Sequence, residues 1–181
     1  LSVAPTIVGC GRSHFGRLIL VAYEIKRPAE FCFGVFLPKL GTLSGGDCKT
    51  QDEAWTAFRC SSGFCITSSI GTDWQPKAGF RTSVVSGIST ASVTAVEVIG
   101  GRAARRHQSA ATLGAISGPL AEKFGQSEPF VVFGAALPCV AAKAVTAEAT
   151  SGTERLTATP SRYPELFKHP CHPPSPPKPP Q

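Results

Sequence analysis

Between Ser92 and Leu137 the chain reads SVTAVEVI, then Gly100-Gly101, then RAARRHQSAATLGAISGPLAEKF, and after a short polar break PFVVFGAAL. The first and last runs are short, apolar and rich in β-branched residues, which suits buried strands. Between them, Leu113, Ile116, Leu120 and Phe124 recur at i, i+3, i+7 and i+11, a spacing that shares one helical face. Gly118-Pro119 should kink that helix, because proline lacks a backbone donor and clashes with the preceding turn. Strand, glycine turn, helix, strand is the order of a βαβ unit. The sequence therefore predicts an α+β fold, mostly short strands with one long broken helix in a βαβ-like unit over residues 92-137.

The flanking sequence is read in the same way. RLILVAYEI (17–25) and FCFGVFL (31–37) are strand-like, and the polar Lys26 to Glu30 between them predicts a hairpin. Pro38 to Asp47 predicts a long loop, Asp52-Glu53 a short helix, and Cys60 to Ser69 an extended segment. Residues 1 to 16 read as loop around a short strand at Thr6 to Val8. Phe80 to Ser86 and Ala91 to Ile99 read as strands parted by Gly87, and Cys139 to Thr150 fits strand or helix, with strand favoured at its start. Nine of the sixteen prolines fall in residues 160 to 181, a composition that favours extended polyproline II over a packed core. One globular domain, 1-158, followed by a disordered proline-rich tail, 159-181, is expected.

Of the 181 residues 42% are hydrophobic and 17% charged, which fits a folded chain better than a disordered one. No run of eighteen apolar residues exists, so no membrane span is expected. There is no asparagine, which excludes N-glycosylation. The net charge of +6 is diffuse, a pattern of solvated surface rather than of a nucleic-acid interface. The partners expected are a protein or a small anionic ligand.

Seven cysteines make an odd count: Cys10, Cys32, Cys48, Cys60, Cys65, Cys139 and Cys171. Cys48, Cys60 and Cys65 lie close in sequence and are the disulfide candidates, with two or three bridges and one thiol left over. That picture places the chain outside the cell; buried free thiols would place it in the cytoplasm.

Around Gly100 and Gly101 the residues Arg102, Arg105, Arg106 and His107 crowd the start of the predicted helix. Helix starts favour acids, because the peptide dipoles leave them partly positive. An anion bound there would reverse the sign of that conflict, so VEVIGGRAARRH reads as a phosphate or carboxylate site. The complete phosphate motifs G-x-G-x-x-G and G-x-x-x-x-G-K-[ST] are absent, and no cofactor is expected.

VIGGRAA also resembles the mature N-terminus of trypsin-like proteases, and GAALPCVAAKAV the segment carrying their catalytic histidine. Lys143 stands where that histidine would be and no G-D-S-G-G follows, so the resemblance implies no protease activity. Cys48 with Phe58 to Ile66 is similar to the first half of an LDL-receptor class A repeat. In that family the calcium-binding acids and last three cysteines come next, whereas here TSSIGTDWQPKAGF follows with no cysteine until Cys139, so no calcium site is implied. Cys10 with His14, and His169 with Cys171 and His172, have soft ligands at usable spacing but lack the second pair a tetrahedral zinc site needs. Neither G-x-S-x-G nor H-E-x-x-H occurs, and nothing selects a cysteine–histidine pair as catalytic.

A non-enzymatic extracellular binding or interaction module stabilised by disulfides is the function expected. The alternatives are an α/β enzyme or ligand-binding protein holding a phosphate or carboxylate at the Gly100-Gly101 turn, and a chain with no evolved function.

Overall fold

The structure, a computed structural model, describes residues 5–26, 29–50, 63–75, 79–101, 106–140 and 144–160. The first sheet is a meander: β1 (Thr6–Ser13), β2 (Gly16–Lys26), β3 (Ala29–Leu37) and β4 (Thr42–Thr50), in the order β1-β2-β3-β4. A single 3-10 turn, Pro38–Leu40, joins its last two strands. Next come β5 (Phe64–Gln75), β6 (Gly79–Thr90), β7 (Ala95–Gly100), β8 (His107–Ala110) and β9 (Thr112–Ile116). They are followed by the helix α1 (Pro119–Lys123) and by β10 (Phe130–Pro138), β11 (Val145–Ser151) and β12 (Glu154–Ala158). These strands make a second sheet, β5-β6-β10-β9, and a third, β12-β11-β7-β8. Every strand pairing within the three sheets is antiparallel.

Two apolar cores explain the stacking. The first lies between the first and second sheets, with Leu18, Leu20, Phe33 and Val35 facing Val84, Ile88 and Val132. The second lies between the second and third, where Phe64, Val85, Phe133 and Leu137 meet Val96, Val98 and Val145. Neighbours such as Val84 and Val85, or Val132 and Phe133, therefore point into different cores, as strand alternation requires. This is why PFVVFGAAL is apolar without a break: β10 is buried on both faces. In the third sheet β11 alternates instead: its inward Val145, Ala147 and Ala149 are separated by half-buried residues.

The second sheet is close-packed at its centre. Phe133 stands directly opposite Gly87 in the β10–β6 register. A Cβ on Gly87 would run into the Phe133 ring and the Cys65 carbonyl, so β6 continues through this glycine rather than breaking at it. Phe64 packs on Phe133 from the neighbouring strand, with ring centroids 5.5 Å apart.

The fold corrects the expected α+β architecture. The described residues hold one helix of five residues, and the stretch expected to be a long broken helix forms β8, β9 and that short helix. The apparent helical face divides between the two cores: Leu113 packs on the second, while Ile116, Leu120 and Phe124 belong to the first. Pro119 begins the helix instead of breaking one, since a first-turn residue has no intrahelical partner for its N–H. No βαβ unit forms, because β7 lies in the third sheet and β10 in the second.

Elsewhere the β2–β3 hairpin and the β10 strand lie where the sequence predicts them. The loop expected at Pro38 to Asp47 is the 3-10 turn followed by β4, and Cys139 to Thr150 is a strand at its end rather than its start. The Asp52 helix and the tail beyond Pro160 lie outside the described residues. No helix among the described residues is long and apolar enough to cross a membrane.

Candidate functional site

The β1–β2 turn builds an open groove of about 730 Å³ at one end of the first sheet, lined by Cys10, Arg12, His14, Arg17, Lys39 and the intervening small residues. Ser13 and Gly16 close the turn as Cα partners. The Ser13 hydroxyl donates to the Gly16 carbonyl at 3.1 Å and accepts from the Phe15 N–H at 3.2 Å. Gly16 has φ +106°, a conformation that side chains rarely adopt, so glycine is needed at the corner. Phe15 packs against the first core and fixes the turn to the body, while His14 is exposed at its tip with its ring edge-on to Phe15.

This turn puts Arg12 and Arg17 directly opposite one another on adjacent strands, both exposed. Lys39 reaches the same place from the 3-10 turn, its aliphatic stem about 4 Å from the position of a Gly16 Cβ. No described carboxylate lies within 4.0 Å of these three cations. The Arg17 guanidinium donates a long contact, 3.9 Å, to the Cys10 sulfur. Cys10 is exposed, and it is the free cysteine among the described residues.

The other cysteines are oxidised where described. Cys32 and Cys48 form a disulfide across the β3–β4 pair, with Cα atoms 4.1 Å apart, the close spacing of directly opposed antiparallel residues. Cys65 and Cys139 are also disulfide-bonded. Of the three sequence candidates, Cys48 therefore pairs with Cys32, Cys65 is bridged, and Cys60 lies outside the described residues. Glu30 stands beside the Cys32–Cys48 sulfurs, the one described trio of ligating groups within 4.8 Å. With both sulfurs bonded to each other this trio offers a metal only a carboxylate. Tyr23, opposite Cys32, has its hydroxyl pKa raised, first by burial and then by the charge of Glu30.

The structure places the predicted anion-site residues as follows. Gly100 ends β7 and is the Cα partner of His107, the first residue of β8. Gly101 has φ +100° and spends its N–H on the Ala144 carbonyl at 3.0 Å. Arg106 is exposed and His107 half-buried, whereas Arg102 and Arg105 lie outside the described residues. His107 begins a strand, so it has no helix dipole beside it.

Sequence reasoning missed Arg12, Arg17 and Lys39. The signal available was R-S-H-F-G-R: arginines bracketing a short turn that ends in glycine become cross-strand neighbours once the turn is recognised.

What fold and site define is a disulfide-bridged, all-antiparallel β protein with a basic groove at one edge. In comparison with known proteins no family model matches this chain, and no curated protein or solved structure matches it either.

Proposed function

We propose that this chain is a non-enzymatic extracellular binding module stabilised by disulfides. The observation that carries the reading is the Cys32–Cys48 bridge, set in directly opposed strand positions and joined by the oxidised state of Cys65 and Cys139. Bridges of this kind persist in oxidising compartments and are kept reduced in the cytosol. Cys32 is fully buried, so its sulfur serves structure rather than surface chemistry. The test is to produce the chain in an oxidising and in a reducing compartment and compare its melting. Cooperative folding restricted to the oxidised product supports the reading; an equally stable reduced product counts against it.

A second reading, a ligand-binding protein holding a phosphate or carboxylate at the Gly100-Gly101 turn, is favoured by His107 lying across from Gly100 with exposed Arg106 beside it. An anion bound only by the native state raises its melting temperature. That rise should shrink in an Arg106→Gln/His107→Gln variant, and an unchanged rise there would exclude this site.

A further inference from the structure

We propose that the groove at the β1–β2 turn is a binding site for a tetrahedral oxyanion group, a phosphate or sulfate ester, gripped by Arg12, Arg17 and Lys39. Like charges placed directly opposite on neighbouring strands destabilise a sheet, and Arg12 and Arg17 occupy such a pair. The fold adds a third cation instead of relieving them, since the Pro38–Leu40 turn carries Lys39 to the same groove. Among the described residues no carboxylate neutralises the three. A bound oxyanion turns this repulsion into charge-assisted hydrogen bonds, and the planar guanidinium forks match oxyanion geometry.

The arrangement selects the ligand's chemistry. Three cations arriving from two strands and a turn match a tetrahedral group, which offers an oxygen to each, better than the two oxygens of a carboxylate. The groove is open, so it takes a charged group at the end or on the flank of a larger molecule rather than enclosing a small one. Cys10 lies at its edge and serves as a built-in reporter of the local field. The proposal deepens the binding-module reading and rests on it for its biological role.

The test uses the full, unreduced chain and compares two thiol reagents at Cys10, the dianionic 5,5′-dithiobis(2-nitrobenzoate) and the neutral 4,4′-dithiodipyridine. Relative to a small free thiol, the dianionic reagent should be favoured by about tenfold or more at low salt, a preference that fades as ionic strength rises. Inorganic phosphate, pyrophosphate and a sulfated disaccharide, each matched in ionic strength to sodium chloride, should slow both reagents. Protection by pyrophosphate over the disaccharide assigns the group to phosphate esters, and the reverse order to sulfated glycans. An Arg12→Gln/Arg17→Gln/Lys39→Gln variant should lose both preference and protection while keeping its reaction with the neutral reagent. An Arg106→Gln/His107→Gln variant should keep all of them.

The proposal is overturned if the preference is no greater than that of a free thiol, survives the triple variant, or if chloride protects as well as the oxyanions. Any of these results, obtained with the disulfides intact, removes the groove and leaves the binding-module reading standing.

Discussion

Replacing Gly87 by alanine should test the packing of the second sheet most sharply. The added methyl meets the ring of fully buried Phe133 and the carbonyl of half-buried Cys65. Overpacking of a close-packed core costs about 1–3 kcal/mol and occasionally more. Removing the ring by Phe133→Ala leaves a cavity beside Phe64, at a cost of about 3–5 kcal/mol. If the two changes were independent, the double variant would lose their sum. They share a contact, and the shortened side chain relieves the methyl's clash with the ring while leaving that with the Cys65 carbonyl. The double variant should therefore lose at least about 1 kcal/mol less than the sum, the size of coupling seen between touching residues. Urea denaturation followed by tryptophan fluorescence and far-UV circular dichroism measures all four corners of the cycle. Additivity within about 0.5 kcal/mol would refute the argument that Phe133 occupies the space above Gly87.

Three other outcomes follow from named contacts. Replacing Cys32 and Cys48 together by alanine opens a bridge of sequence separation 16 and should cost about 3 kcal/mol in denaturant melts, by the loop-entropy relation. A loss near zero would mean that the β3–β4 pair is held without it. Thr82 carries a fully buried hydroxyl with no hydrogen-bond partner, so Thr82→Val should raise stability by about 1 kcal/mol; a loss of that size would show a partner for the hydroxyl. Tyr23 should ionise above its ordinary value of 10.0, because burial and then Glu30 disfavour the phenolate. Its neutral form stabilises the fold fully below pH 10, and that contribution is lost as pH rises through the raised value. Spectrophotometric titration should show Tyr23 ionising above its ordinary value, and Glu30→Gln should bring it down.

What the sequence made legible, and what it hid, follows from how each signal arises. The β2–β3 hairpin and β10 were readable because a strand's composition is set by its own burial: Leu18 to Ala22 and Phe130 to Leu137 are buried without a break. The helix at Leu113 to Phe124 was misread because its apparent period came from two cores at once. Leu113 answers to the second core and Ile116 and Phe124 to the first, an assignment that exists only after the sheets stack. The β1–β2 turn was hidden by its glycines, which read as loop although Gly9 and Gly11 lie within a paired strand. Arg12 and Arg17 were therefore never seen as neighbours. The Cys32–Cys48 pairing was hidden for a similar reason: proximity in sequence favoured Cys48, Cys60 and Cys65, while strand register chose Cys32.

Peptide mapping of the unreduced protein tests the disulfide-held module directly. Blocking thiols under denaturing conditions before proteolysis, then identifying linked peptides by mass spectrometry, should recover Cys32 joined to Cys48, with Cys10 alkylated and Cys65 and Cys139 protected until reduction. Alkylation of Cys32 and Cys48 without reductant would contradict the account.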